Sequence, residues 1–207
     1  MPDKSKKERR FLKVQELRVN TDGDKSTLTG YAAVFDSLSD DLGGFREKID
    51  PGAFKSALKT SDCRALFNHD ANFVLGRQSS KTLRLKEDKN GLLMECDLPD
   101  TQFARDLMIS VSRGDITQQS FGFTVKVDEW EEDRSNGKTT RTLKEIDELF
   151  DVSPVTFPAY PDTTVAKRSL DEFKTSENRG LDKDAENSID TEYEDFILTN
   201  IKNERGF

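Results

Sequence analysis

One histidine occurs in these 207 residues, His69, in the run Leu66-Phe67-Asn68-His69-Asp70. Imidazole is the side chain that gains and loses a proton near neutral pH without help from its surroundings, so general-base chemistry in this chain points first to His69. One histidine cannot build a His-rich metal site. The two cysteines, Cys63 and Cys96, sit in no Cys-x-x-Cys motif and read as small buried thiols, not as zinc ligands or a redox pair. What remains is an activated nucleophile. A serine hydroxyl attacks carbonyl carbon only when a base takes its proton, and a histidine is the usual base. Ser120, in Gln118-Gln119-Ser120-Phe121-Gly122-Phe123, opens the cleanest strand pattern of the chain and is the candidate nucleophile. Gly122 and Gly114 nearby permit the close backbone approach that an oxyanion site needs. Pattern alone does not bring Ser120 to His69.

The elements that would position these residues are short strands. Strand signals run over Phe11-Leu12-Lys13-Val14 and over Leu28 to Phe35, and the polar stretch from Ser37 to Gly44 reads as a loop. Asp50-Pro51-Gly52-Ala53-Phe54 is expected to open a short helix, with Asp50 as N-cap and Pro51 at its first position. Leu66 and Phe67 lead into the His69 loop. A hairpin is predicted from Thr82–Lys86 through Asp88-Lys89-Asn90-Gly91 to Leu92–Leu98. A helix follows from Asp100 or Thr101 to Arg113, with Phe103, Leu107 and Val111 on one face and Gly114 at its end. From Ser120 onward Phe121, Phe123, Val125 and Val127 share one strand face. Ser135-Asn136-Gly137-Lys138 turns the chain, and Thr139 to about Thr156 returns as the partner strand.

That second hairpin orders the carboxylates. A two-residue Asn136-Gly137 turn sets Phe121 opposite Val152, Phe123 opposite Phe150, Val127 opposite Ile146, and Ser120 opposite Ser153. Asp151 then shares the Ser120 face, roughly 7–8 Å away on the diagonal, and is the best-placed acid to orient an imidazole. Glu145 and Asp147 share that face farther along. Leu149 also lands on the polar face, which suggests a bulge around 147–149 that would change the count. Asp147 and Glu148 therefore stay open as alternatives to Asp151.

Hydrophobic residues make up 33% of the chain and charged residues 35%, a lean balance that implies a compact middle with unfolded ends. Lys4, Lys6, Lys7, Arg9 and Arg10 mark residues 1–10 as a basic flexible arm. Residues 169–207 form an acidic, disordered tail with one amphipathic patch at Tyr193, Phe196, Ile197 and Ile201. The formal net charge of -8 argues against nucleic acid as a partner. No apolar run approaches the roughly 20 residues of a membrane span, and the charged start is no secretory signal. Many short strands with few helices predict a mostly β fold with flanking helices, an antiparallel sheet or barrel.

Several segments together resemble the prohead (procapsid) maturation serine proteases of tailed bacteriophages, which are related to the herpesvirus capsid protease, assemblin. They are Gly30-Tyr31-Ala32-Ala33-Val34-Phe35, Ile49-Asp50-Pro51-Gly52-Ala53-Phe54, Leu66-Phe67-Asn68-His69-Asp70, Gly76-Arg77, Ser120-Phe121-Gly122-Phe123, and Asp151 through Ala159. In this order and spacing they span residues 11–168, which the resemblance marks as the protease domain. It implies a closed antiparallel β-barrel of the herpesvirus-protease type, with His69 as general base, Ser120 as nucleophile and Asp151 as third member. The herpesvirus proteins use a second histidine there, and this chain has none; Asp151 also stands where the phage branch more often has Glu.

The resemblance further implies a serine endopeptidase that needs no metal or cofactor. Its substrates would be the scaffold segment of the major capsid protein and the protease itself, inside the assembling procapsid in the bacterial host cytoplasm. Herpesvirus relatives pair through a helix, so a homo-oligomer is among the implied states. Two rivals differ in chemistry: a non-enzymatic scaffold or assembly factor on the same fold, and a hydrolase of small esters. The absence of a Gly-x-Ser-x-Gly elbow counts against the common esterase fold.

Overall fold

The structure, a computed structural model, describes residues 6–12, 17–23, 25–133, 135, 137–157 and 168–175. Two units separate along the chain, Met1–Lys167 and Arg168–Phe207. In the second, residues 168–175 form a helix in which the Thr175 hydroxyl donates to the Asp171 carbonyl at 2.7 Å. The amphipathic patch at Tyr193 to Ile201 lies outside the described residues, as do Lys13 and Val14.

The first unit is built from two sheets. One joins β1 (Glu8–Leu12), β9 (Gln118–Asp133), β10 (Lys138–Val155), β5 (Arg64–Phe67) and β6 (Asp70–Arg77) in that order, with β4 (Phe45–Ile49) also paired to β10. The other runs β2 (Arg18–Asp22), β3 (Lys25–Val34), β8 (Gly91–Asp97) and β7 (Leu83–Glu87). Alternating apolar side chains from both sheets meet in one core, Leu28, Leu83, Leu92 and Met94 from the second and Leu75, Phe121, Phe123, Ile146 and Val152 from the first. Phe54 stacks edge-on to Phe121, with ring centroids 5.7 Å apart, and reaches Phe35 at 6.4 Å. The helix α2 (Gln102–Arg113) adds Ala104, Leu107 and Val111, and Gly114 ends it in the left-handed conformation at φ 81°.

The sheets are open, so the expected closed antiparallel barrel is not formed. Closure requires every strand to be paired on both edges with a consistent stagger. Among the described residues β1 and β6 end one sheet, and β2 and β7 end the other. The pairing is also mixed. β4 and β5 both run parallel to β10 along the edge that β9 leaves free. Between them the chain turns through residues 51–56 into the short helix α1 (Ala57–Thr60). That turn takes over the hydrogen bonds of β10's middle: Ile146 N–H donates to the Ala53 carbonyl at 2.8 Å, and Leu149 N–H to the Ser61 hydroxyl at 3.0 Å. β10 thus meets a turn where a barrel strand would meet another strand.

The same region corrects two local expectations. No helix opens at Asp50; its carboxylate accepts from Lys144 at 2.7 Å instead of capping, and α1 begins at Ala57. The β9–β10 hairpin pairs Lys138 with Asp133, which leaves a loop longer than two residues. Register shifts from Leu143 to Asp151 then move the pairing, so Phe123 faces Leu149 and Ile146 faces Val125. By Val152–Phe121 and Ser153–Ser120 the register is the one predicted from the apolar pairing. β2 and β4 are too short and too polar to stand out in the sequence. β6 lies just past the His69 loop and is not among the strands expected from sequence pattern.

Candidate active site

His69 sits in a two-residue hairpin loop. Phe67 and Asp70 are the last pair between β5 and β6, and the two residues between them, Asn68 and His69, have φ of 53° and 57°. Two successive left-handed residues are the pattern of a type I′ turn, whose twist suits a tight hairpin. Asn and His adopt this conformation more readily than most residues, but two such residues in succession still have to be held. The holding comes through Asn68. Its N–H donates to the Pro154 carbonyl at 3.0 Å, its side-chain oxygen accepts from Thr156 N–H at 2.8 Å, and its amide donates to the Thr156 hydroxyl at 3.2 Å. The turn bearing His69 is therefore fastened to the end of β10, the strand that carries Asp151.

Ser120 lies next to that end on β9, opposite Ser153, with its side chain wholly buried. The three residues singled out in the sequence meet here. His69 Nε2 and Ser120 Oγ are 2.7 Å apart, and His69 Nδ1 is hydrogen-bonded to Asp151 Oδ1. The Ser153 hydroxyl donates to that same Asp151 oxygen at 2.9 Å, and Lys7 Nζ stands 3.2 Å from the other, Oδ2. Asp147 and Glu148, the other carboxylates considered, are exposed and have no such bond.

Burial is the largest influence on Asp151 and favours its neutral form. The hydrogen bond and charge of His69, the Ser153 hydroxyl and the Lys7 ammonium together outweigh it and hold the carboxyl below its ordinary value. An ionised Asp151 accepts the Nδ1 proton, which leaves the Nε2 lone pair facing the Ser120 hydroxyl. The cysteines are held as thiols. Burial, aided by the Asp151 charge, pushes Cys63 up strongly, and burial pushes Cys96 up to about 12. Among the described residues no group of three His, Cys, Asp or Glu side chains is arranged to hold a metal.

Gly122 has a different use from the one expected of it. A Cβ there would lie 2.6 Å from Asp151 Oδ2 and 2.9 Å from Lys7 Cε, so its missing side chain is the space that the carboxylate and the lysine occupy. Gly114 is a helix cap with open space around it. The hairpin register already sets Ser153 opposite Ser120, but its bond to Asp151 is not legible there, and the roles of Asn68 and Lys7 escape sequence pattern. Asn68 carries a usable signal, an αL-tolerant residue between two strand-like runs; Lys7 is brought in by the long-range pairing of β1.

The chain matches the model of the caudovirus prohead serine proteases over residues 13–176. The chain belongs to the caudovirus prohead serine protease family. It is 32% identical over 165 residues to the prohead protease of Enterobacteria phage HK97, covering 77% of this chain and 68% of that protein. The solved bacteriophage T4 capsid assembly protease overlays with a TM-score of 0.46 at 10% identity, over 72% of this chain and 99% of that one. His69, Ser120 and Asp151 all fall inside the span matched to the prohead serine protease family; Lys7 and β1 precede it.

Proposed function

We propose that this prohead serine protease is an endopeptidase acting by acyl transfer, with Ser120 as nucleophile, His69 as general base and Asp151 as the group that orients and charge-balances the imidazole. The single observation that carries the reading is the continuous line Ser120 Oγ to His69 Nε2, at 2.7 Å, and His69 Nδ1 to Asp151 Oδ1. As Ser120 Oγ bonds to the scissile carbonyl carbon, its proton passes to Nε2 and the carbonyl π pair moves onto oxygen. Collapse of that adduct breaks the C–N bond, and the leaving amine takes the proton from Nε2. Water then attacks the acyl-serine ester, giving its proton to Nε2, which returns it to Ser120. Asp151 stays ionised throughout and stabilises the imidazolium formed in each half.

The proposed substrates are the scaffold segment of the phage major capsid protein and the protease chain itself, inside the procapsid in the bacterial host cytoplasm. Support comes from the family and from the name of the curated relative, a prohead protease. Confinement in a shell raises the effective concentration of enzyme and scaffold. The division into a protease body over about 11–168 and an acidic tail from about 169 belongs to this reading. The test is labelling with a fluorophosphonate, which forms a stable serine adduct with loss of fluoride. The expected result is one adduct, mapped by peptide mass to Ser120, and none in His69→Gln. Labelling spread over surface serines, or unchanged in His69→Gln, would overturn it.

A further inference from the structure

The chain before β9 reaches the site in a way the three-residue account leaves unused. β1 pairs antiparallel with β9, placing Arg10 beside Phe121 and Phe11 beside Ser120. The strand is pinned by a buried ionic cluster. Arg10 Nε donates to Glu47 Oε1 at 2.7 Å, and Arg141 contacts Glu8 at 3.0 and 3.1 Å and Glu47 at 3.1 Å. Glu8, Arg10, Glu47 and Arg141 are all buried. Unpaired charges at such depth are costly, so the cluster fixes the register of β1 against its neighbours. The residue just ahead of that fixed strand is Lys7. Its ammonium is 3.2 Å from Asp151 Oδ2 and 4.6 Å from the centre of the Phe150 ring, and its stem fills the space beside Gly122.

We infer that Lys7 is a positioning residue of the active site, its ammonium holding the outer oxygen of Asp151 so that the inner oxygen faces His69, and that the N-terminal strand is thereby a working part of the catalytic machinery. The inference rests on the triad reading above. Among the described residues, the groups facing Asp151 are few. His69 and Ser153 bind Oδ1, Lys7 faces Oδ2, and β9 presents Gly122. Cys63, on the segment before β5, is a buried thiol. Arg64, the Cα partner of Asp151, turns its guanidinium to the Asp62 carbonyl at 2.6 Å. Lys7 is therefore the positive charge that balances Asp151 while His69 is neutral. As His69 takes the Ser120 proton, the same ammonium repels the imidazolium and tempers its lifetime. The site becomes dependent on the presence and docking of residues ahead of the family's matched span.

The lone histidine makes this directly readable. The test records the ring signals of His69 by NMR across pH in the full chain carrying Ser120→Ala, then with Lys7→Met, Lys7→Gln and Lys7→Arg added. Lys7 is 43% exposed, so water weakens its effect. The expected change for the neutral variants is an upward move of the His69 midpoint by about half a pH unit. Lys7→Arg returns it toward the starting value. With Ser120 intact, the acid limb of kcat/KM moves the same way, so Lys7→Met loses about threefold more activity on that limb than on the plateau. A purely structural role would scale rates equally at all pH values and leave the midpoint unmoved. An unmoved midpoint in both neutral variants overturns the inference. Absence of any peptide cleavage, with the midpoint moved, overturns the protease reading instead.

Discussion

Gly122→Ala tests how closely the site is packed. The added methyl would sit 2.6 Å from Asp151 Oδ2 and 2.9 Å from Lys7 Cε. The lysine stem is half-exposed and swings away at little cost. The carboxylate is not free to follow, because His69 and Ser153 hold its other oxygen and β10 fixes its backbone. Ordinary contact begins at 3.4 Å, so Oδ2 must retreat by about 0.8 Å from 2.6 Å. A displacement of that size breaks or bends the bond to His69 Nδ1. Misplacement of a catalytic group by about 1 Å is worth roughly 100-fold in rate, while crowding one methyl into a packed site costs about 1–3 kcal/mol of stability. The expected outcome is a chain that still folds, with a lowered denaturation midpoint, and that cleaves or takes up fluorophosphonate about 100-fold more slowly. Both are measured on one preparation, by chemical denaturation and by the rate of label uptake. Wild-type uptake in a folded Gly122→Ala would show that the Asp151 carboxylate does not have to stay where it is, and the argument from the glycine's empty space would fail.

Further outcomes follow from the same contacts. Asp151→Asn keeps the shape but lets the wrong imidazole nitrogen face Ser120; uptake of the label is expected to fall by about 10³–10⁴-fold, with far-UV dichroism unchanged. Asn68→Ala removes the two side-chain ties to Thr156, while keeping the backbone bond to Pro154, and removes the side chain best suited to the αL position; a fall of about tenfold in label uptake is expected. Arg141→Met strips Glu8 and Glu47 of a buried partner and is expected to lower unfolding free energy by about 3–5 kcal/mol, measured by urea denaturation. Asp151 and Glu8 have folded-state pKa values below their ordinary values of 3.8 and 4.5, so each stabilises the fold above those values. That contribution is lost as pH falls through the depressed folded values, and urea midpoints of Asp151→Asn should fall less steeply than wild type below about pH 4.

The parts of the site that were legible in the sequence are those dictated by chemistry or by strong local pattern. A lone imidazole limits the choice of base. The apolar pairing of Phe121 with Val152 forces the register at the catalytic end of the hairpin, so Asp151 fell beside Ser120 although the assumed two-residue turn was wrong. The bulges of β10 absorbed the error; Leu149, out of place on a polar face, was their visible trace. Sheet closure was not legible, because it depends on which edges meet, and the parallel seats of β4 and β5 on β10 join residues far apart in sequence. Lys7 falls within the basic arm that composition marks as flexible, since nothing local distinguishes a lysine that pairs with Asp151 from one in water. The left-handed conformation of His69 is uncommon for a non-glycine residue, and such departures gather where a side chain must be aimed.

The most direct test of the central claim is intact mass over time for the wild-type chain and for Ser120→Ala, each co-expressed with its capsid protein. The account predicts that the wild-type chain trims both itself and the capsid protein, while Ser120→Ala leaves both whole. The same fragments from both preparations, or none from either, would contradict it.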